Sequence, residues 1–424
     1  MHTDYQALVR DDRVHGSLYV EPGVFRDEMT RIFHRGWSFI AHASEVPEPG
    51  CWITRRIGLE PYILTRDMDG RLHALANRCS HRGTALCWEE RGRSKHFQCT
   101  YHGWSFALDG RLTGVAYRGG LNKDMGELGL DRAGQVEAYR GFIFVNPSGT
   151  AGPLAAHLGT GGQALIDRLC DLSPQGSIRV PPTWIGHRIA SNWKMWPESD
   201  NDGYHFQFVH SSTVKAAPDT YYQETVLGGE SGNISHAVDH GQGHFELDLR
   251  PSYKAPLAWL GTTQEKTPEY CTAMESAYGA ERAGQLMMDG PPHAMIFPNL
   301  FLGELNLAIV EPVAPNITVH HHTAVQLEGV DARINRRILR QSEAALGPAS
   351  FIVPDDAVTA EKMQSGFGGA SPENHAAQGK AWIDLSRGMA RETMDGPRRV
   401  GQVSDETTNR AFWRHYRDVM GATS

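Results

Sequence analysis

The chain has 424 residues, with 41 Lys and Arg against 49 Asp and Glu and a formal net charge of −8 at pH 7. Hydrophobic residues make up 40% and charged residues 21%, enough to bury the cores of two or three domains and too apolar for a disordered chain. The acidic balance argues against nucleic acid as a partner, because phosphate binding needs clustered basic charge. The first residues alternate charges without an apolar stretch, and the most apolar run, residues 294–310, contains Pro298 and Glu304 and is too short to cross a bilayer. A soluble intracellular protein is expected, and its six scattered cysteines argue against a disulfide framework.

A helix opens the globular part, with Pro22 in its first turn and Phe25, Met29, Ile32 and Phe33 on one face. From residue 51 to 115 the pattern changes to short β segments. Residues 61–65 and 71–76 flank Asp69-Gly70, and Asp109-Gly110 separates 104–108 from 112–115. Asp-Gly between such runs predicts type I′ hairpins. Residues 141–145 form one more strand, and Asn146-Pro147-Ser148-Gly149 marks a boundary. Residues 197–210 are dense in polar side chains framed by aromatics, which predicts a helix lining a buried polar site. Residues 296–302, 305–310 and 317–327 predict strands of one antiparallel sheet, and 332–346 and 405–420 predict amphipathic helices. The expected fold class is α+β. A small all-β domain, residues 38–150, is inserted in a larger domain, residues 151–424, whose antiparallel sheet is flanked by helices; residues 1–37 form an N-terminal helical segment packing on the larger domain.

Cys79-Ser80-His81 and Cys99-Thr100-Tyr101-His102 carry the clearest chemistry. Two Cys/His pairs joined by a long loop define a four-ligand site, and thiolate with imidazole suits zinc or an iron–sulfur cluster. A zinc finger would place its histidines together on a helix. Here each Cys has its own His, which suits a [2Fe–2S] centre with two thiolates on one iron and two imidazoles on the other. A second constellation is Asp202, His205 and His210 in Glu198-Ser199-Asp200-Asn201-Asp202-Gly203-Tyr204-His205 and the residues that follow. Two histidines and a carboxylate are the minimal set for non-haem Fe(II) with open positions for oxygen. Five residues apart, His205 and His210 diverge on a regular helix, so a π-type irregularity or a helix end is needed.

The flanks Cys79-Ser80-His81-Arg82-Gly83 and Cys99-Thr100-Tyr101-His102-Gly103-Trp104 resemble the paired loops of Rieske proteins. From Ile32-Phe33-His34-Arg35-Gly36-Trp37 to Phe412-Trp413, the chain resembles the α (oxygenase) subunit of Rieske non-haem iron aromatic ring-hydroxylating oxygenases, nearest the benzoate/anthranilate and terephthalate branch. The resemblance implies one [2Fe–2S] Rieske cluster on Cys79, His81, Cys99 and His102. It also implies one mononuclear non-haem Fe(II) on His205, His210 and a downstream carboxylate. That carboxylate is Asp356 by its spacing to Gln364, with Asp355 as the fallback and as a helix cap, after the matching segment Gly347-Pro348-Ala349-Ser350-Phe351. Asp202 is implied as the bridge that accepts from His205 and from His102 of the partner subunit in a homotrimer, with or without a β subunit. One departure is Glu198-Ser199, where such chains read Glu-Asn.

The implied activity is that of a cytoplasmic, bacterial-type terminal oxygenase. It takes electrons from an NAD(P)H-dependent reductase, directly or through a ferredoxin, since no Gly-rich dinucleotide fingerprint is present. It uses O2 to di- or mono-oxygenate an aromatic substrate. The alternatives are oxidative N- or O-demethylation at the same two sites, a Rieske electron carrier and a zinc-stabilised binding module.

Other residues invite a site and are set aside. His236, His240 and His244 are interrupted by Gly241 and Gly243 and read as a loop or short strand. In His320-His321-His322 a strand would turn His321 to the face of Ile317, Val319 and Val325, as a core or pocket histidine. Met287-Met288 reads as core filling, and the basic, aromatic residues 410–417 as a solvated packing face. Between Arg282 and Arg333 there is no Lys or Arg. If the strands there wall the cavity, with Val209, Phe297, Leu302 and Leu307 as lining, a neutral or amine-bearing aromatic fits better than a benzoate-type anion, unless Lys215, Arg250 or Lys254 reaches in.

Overall fold

The structure, a computed structural model, describes residues 3–216, 234–347, 350, 352–368 and 381–422. Pro348, Ala349 and Phe351 of the motif quoted above lie outside the described residues. The chain divides into two compact units, one of residues 29–154 and one of residues 1–28 with 155–424. The N-terminal helix is accordingly shared, with Pro22–Glu28 (α1) in the larger unit and the π-wound Met29–His34 in the smaller.

The smaller unit is built from antiparallel sheets. Ser38–His42 (β1), Gln135–Tyr139 and Phe142–Asn146 form one of three strands. Cys51–Ile57 (β2), Glu60–Arg66 (β3), Leu72–Ala76 (β4) and Arg91–Arg93 (β5) form one of four. His96–Gln98 (β6), Ser105–Ala107 (β7) and Leu112–Gly114 (β8) form the third. The Asp-Gly hairpins are present but not of type I′, which needs positive φ at both residues. Only the glycines take it, Gly70 at φ +85° and Gly110 at φ +89°. Each ends a turn in which its N–H donates three residues back, to Asp67 O at 3.1 Å and Ala107 O at 2.9 Å. Closed by Asp67 N–H to Arg71 O at 2.9 Å and Ala107 N–H to Arg111 O at 2.8 Å, three-residue loops with one left-handed glycine therefore replace the two-residue ones. Trp52, Ile63, Leu75, Phe97 and Phe106 are buried together with Cys79 and Cys99, so the core reaches the base of both Cys/His loops.

The larger unit carries one antiparallel sheet of nine strands. In chain order these are Ile185–Ile189 (β9), His236–Gly241 (β10), His244–Asp248 (β11), His293–Ile296 (β12), Leu300–Gly303 (β13), Asn306–Ala314 (β14), Ile317–Ala324 (β15), Thr393–Asp395 (β16) and Arg398–Gln402 (β17). Their spatial order is β9-β15-β14-β13-β12-β11-β10-β17-β16. The run expected as one strand over 296–302 is two strands, β12 and β13, paired with each other around a turn at Pro298. Residues 236–248, read as a loop or short strand, are a hairpin that turns at Gln242 and Gly243, both at positive φ. Ala332–Leu346 (α2) packs against β15, and Thr407–Gly421 (α3) against β10 and β11. The latter helix is not solvated. Phe412, Trp413 and Tyr416 are fully buried, and buried Arg410 is paired with Glu392 at 2.5 Å. Among the described residues no helix is long and apolar enough to cross a membrane.

Candidate metal centres

The two Cys/His loops have the same backbone construction. Cys79 N–H donates to Thr84 O at 2.8 Å and Gly83 N–H to Cys79 O at 2.8 Å; Cys99 N–H donates to Trp104 O at 2.8 Å and Gly103 N–H to Cys99 O at 2.9 Å. Gly83 and Gly103 sit at φ +74° and +70°, where a side chain would be strained. Each loop thus presents a buried thiol at its root and an imidazole nearer the surface. The two rings meet, with His81 and His102 4.6 Å apart between centroids and His81 stacked on Trp104 at 4.6 Å. Burial pushes the Cys79 thiol up, opposed by the His81 N–H and reinforced by neighbouring Cys99. His102 Nδ1 is buried with no hydrogen-bond partner, as a ligand atom would be. Tetrahedral zinc needs its donor atoms within about 4 Å of one another. Among the described residues, no three of these four side chains bring their ligand atoms within 4.8 Å. A two-iron cluster, which separates its thiolate end from its imidazole end, fits the donor set better.

His205, His210 and Asp356 do converge, with one ligand atom from each all within 4.8 Å. His205 Nε2 lies 3.2 Å from His210 Nε2, and Asp356 Oδ1 lies 3.4 Å from the first and 3.1 Å from the second. The expected helix over 197–210 is broken into Met195–Asp200, Phe206–Val209 and then Ser211–Ala216, with residues 201–205 irregular between the first two. His205 and His210 cap the two ends of the single turn Phe206–Val209, so both rings can face one point. Asp356 comes from the first turn of Val353–Phe367, where the helix N-terminus favours a carboxylate. Burial disfavours charge on His205, yet Asp202 and Asp356 raise its imidazole from 6.5 to about 10. That negative field, with two facing imidazole nitrogens, suits a divalent cation. Asp202 Oδ2 lies 3.3 Å from His205 Nδ1 and Asp355 Oδ2 3.6 Å from His210 Nδ1, each beside the nitrogen that faces away from Asp356.

Two family models match this chain, the Rieske [2Fe–2S] domain over residues 36–123 and the ring-hydroxylating α subunit (catalytic domain) over residues 173–422. The chain belongs to the ring-hydroxylating α-subunit family. The anthranilate 1,2-dioxygenase large subunit of Acinetobacter baylyi is 29% identical over 94% of this chain and 86% of its own length. The 2-halobenzoate 1,2-dioxygenase large subunit of Burkholderia cepacia is 30% identical over 93% and 85%. In fold, a naphthalene 1,2-dioxygenase variant bound to phenanthrene superposes with a TM-score of 0.84 at 23% identity, over 100% of this chain and 96% of the other. The protein is a Rieske-type terminal oxygenase that hydroxylates an aromatic substrate, with a [2Fe–2S] cluster and a mononuclear non-haem iron. Members of the family are oligomeric and take electrons from reductase or ferredoxin donors.

In this oxygenase subunit buried carboxylates hold the broken helix in place. Glu28 accepts from Trp193 Nε1 at 2.9 Å, Lys194 Nζ at 2.6 Å and the Tyr416 hydroxyl at 2.7 Å. Glu198 accepts from the Tyr19 hydroxyl at 2.7 Å and Trp413 Nε1 at 2.5 Å. Ser199, where Asn was expected, lines the cavity beside the triad. Burial raises the Glu198 carboxyl from 4.5 to about 7, against the pull of Tyr19 and Trp413. The folded state therefore holds this proton more tightly than the unfolded one. The resulting stability is complete below about pH 4.5 and is lost as pH rises through about 7, on the order of 3 kcal/mol at most. A Glu198→Gln protein, which cannot ionise, is expected to lose less Tm than the parent between about pH 5 and about pH 8. Equal losses by calorimetry would put the pH dependence elsewhere.

The triad opens on a cavity of about 110 Å³, near the size of the ~150 Å³ apolar cavity that takes a benzene ring. Its apolar wall comes from Leu247, Leu249, Phe301, Leu305 and Ile352. Val209, Phe297, Leu302 and Leu307 do not line it; Leu302 and Leu307 lie on the strand phase opposite to Phe301 and Asn306. His321 is likewise on the outer face, paired with Glu311 at 3.0 Å, while His320 and His322 are buried. No Lys or Arg is on the described wall. Lys215 and Lys254 are exposed, and Arg250 is paired with Asp248 at 2.6 Å.

Proposed function

We propose that Cys79 and Cys99 bind one iron of the cluster and His81 and His102 the other, and that His205, His210 and Asp356 bind the mononuclear iron. The observation that carries the reading is the meeting of two Nε2 atoms and one carboxylate oxygen at the wall of a ring-sized cavity. Fe(II) in such a set, with electrons from the cluster, supplies O2 activation when bound. The protein's own part is positioning. Asp202, beside His205 Nδ1, keeps the proton on that nitrogen and leaves the Nε2 lone pair for metal; Asp355 stands in the same relation to His210. The apolar wall orients the ring and excludes water.

The assembly in this reading is a homotrimer in which Asp202 also accepts from His102 of the partner subunit. Exposed aromatics support it. Tyr204 and Phe208 are 43% and 72% exposed beside His205, and exposed Tyr101 lies against His102 at 3.8 Å between centroids. Apolar surface of this kind marks a contact face. Electrons come from an NAD(P)H-dependent reductase in the cytoplasm, directly or through a ferredoxin. Ring dioxygenation is the principal reaction. A wall that includes Asp200 and Glu304 and, among the described residues, no Lys or Arg favours oxidative N-demethylation as the second.

Asp202→Ala tests this reading, because it removes the bridge and no ligand. Both metal sites are expected to stay filled while substrate-dependent oxidation of the reduced cluster in a single turnover falls by about a hundredfold or more. A mutant that oxidises its cluster at the parental rate would sink the bridging role.

A further inference from the structure

Beside the oxygenase cavity, in the same larger unit, lies an open recess of about 640 Å³. Helix α2 walls both. Gln341, Ser342, Ala345 and Leu346 line the cavity, while Arg333, Arg336, Arg337 and Arg340 line the recess together with Lys266 from another segment. Gln341 borders the two. Five exposed cations therefore meet at one concavity, in a chain whose net charge is −8. No carboxylate is among the described residues of its wall.

This cluster works against the helix that carries it. Arg333 with Arg337, and Arg336 with Arg340, are like charges four residues apart, which repel on a helix face. Among the described residues, Arg333 alone of the five is in an ion pair, with Asp331 at 3.0 Å and Glu269 at 3.1 Å. The recess is also prearranged. Arg337 Nε donates to Leu260 O at 2.6 Å and its Nη2 to Gly261 O, which fixes the guanidinium without neutralising it. The helix Pro268–Tyr278 starts from Thr267 on the recess wall, without a side-chain cap, so the positive end of its dipole lies there too. Buried Leu260 and Ile334 supply the apolar part of the wall.

We propose that this recess is a binding site for a small multivalent oxyanion, an organic phosphate, sulfonate or polycarboxylate, held by Lys266, Arg336, Arg337 and Arg340. The convergence of five cations on one concavity carries the inference. Guanidinium groups take such anions through paired, charge-assisted N–H bonds, and a bound anion cancels the repulsion within α2. The volume is that of a small-molecule pocket, about 300–1,000 Å³, and a concave wall suits a compact ligand better than the face of an acidic protein. Two sources supply this chemistry. One is a free anion. The other is the anionic end of an aromatic substrate whose ring lies in the cavity on the far side of Gln341. The anion site rests on its own residues and not on the oxygenase reading.

The test uses the purified holoprotein with propane-1,3-disulfonate, which does not chelate iron, and chloride at equal ionic strength as control. Calorimetry is expected to give one disulfonate site per chain with Kd below about 0.1 mM, weakened about tenfold or more in the double variant Arg336→Gln, Arg340→Gln. Without probe that variant should melt no lower than the parent, because it relieves repulsion, and disulfonate should raise the parental Tm by more. Lys266→Gln, on a separate segment, should weaken the probe by about threefold or more. Toluene and 3-phenylpropane-1-sulfonate separate the sources. If the anion is the substrate's own end, the phenylsulfonate binds tighter than toluene and competes with disulfonate. If it is a free ligand, toluene and disulfonate bind together. No saturable binding, or equal affinity in parent and folded variants, would mean an adventitious ion only and overturn the inference. Retention of an acidic protein by a face that binds no disulfonate would overturn it as well. Calorimetry reads the site without turnover, so failure of the oxygenase reading would leave this test standing.

Discussion

Asp356→Ala is expected to strip the mononuclear iron from the protein and abolish turnover, leaving the visible spectrum of the cluster intact. Among the described residues, Asp356 is the one carboxylate whose oxygen reaches both imidazoles, at 3.4 and 3.1 Å. Burial raises its carboxyl, and the facing His205 and His210 overcome this and hold it below the usual range. Without it two imidazoles face each other, and a divalent ion loses both a ligand and the compensating charge. Asp355→Ala is the control. Its Oδ2 lies 3.6 Å from His210 Nδ1, on the far side of the ring, so its loss should weaken iron binding by about ten- to a hundredfold without preventing it. Total iron and acid-labile sulfide, measured on the same samples, separate the cases. Asp356→Ala should lose the mononuclear iron at constant sulfide. If Asp355→Ala loses it instead, the two neighbouring carboxylates have been assigned the wrong way round.

Cys99→Ser is expected to remove the cluster. Cys99 is 2% exposed and roots a loop closed by its own N–H and C=O. A serine hydroxyl fits that space but is a hard, weakly acidic ligand where iron–sulfur chemistry needs thiolate. The loss should be nearly complete in visible absorbance and labile sulfide. Electron entry and substrate turnover go with it, while iron at the other site is retained. Local stability of residues 29–154 should fall too, since both cysteines belong to the buried core of that unit. Cys87→Ser gives the contrast. Cys87 is buried in the same core, with its thiol pushed up to about 12 mainly by desolvation, and that variant should keep its colour. A Cys99→Ser protein with the parental spectrum and sulfide content would remove Cys99 from the ligand set.

What the sequence by itself determined is local. The Cys/His loops were legible because each pair and its closing glycine lie within five residues, and the backbone bonds that shape them reach no further than the next residue, Thr84 or Trp104. The helices over 332–346 and 405–420 were legible because one apolar stripe faces the sheet. Asp356 lies far along the chain from His210, and no local pattern joins them; only resemblance pointed to it, and the first turn of Val353–Phe367 brings it in.

The tertiary structure decided which side chains face the cavity. Leu300, Phe301 and Leu302 are all buried, since both faces of that sheet are covered there, so no alternation distinguishes the cavity face from the other. In Ile317–Ala324 hydrophobicity points the wrong way. Thr318, His320 and His322 are buried, while Ile317 and Val319 are partly exposed. The polar face turns inward because its partners are there. Thr318 Oγ1 donates to Ser191 O at 2.8 Å, and His320 stacks on Trp196 at 4.4 Å between centroids, 3.5 Å from Asp200 Oδ2. The same contacts hold the helix that ends at Asp200 and the irregular stretch that delivers Asp202 and His205. A buried polar group is stable only where a partner waits, and those partners come from segments more than a hundred residues away in sequence.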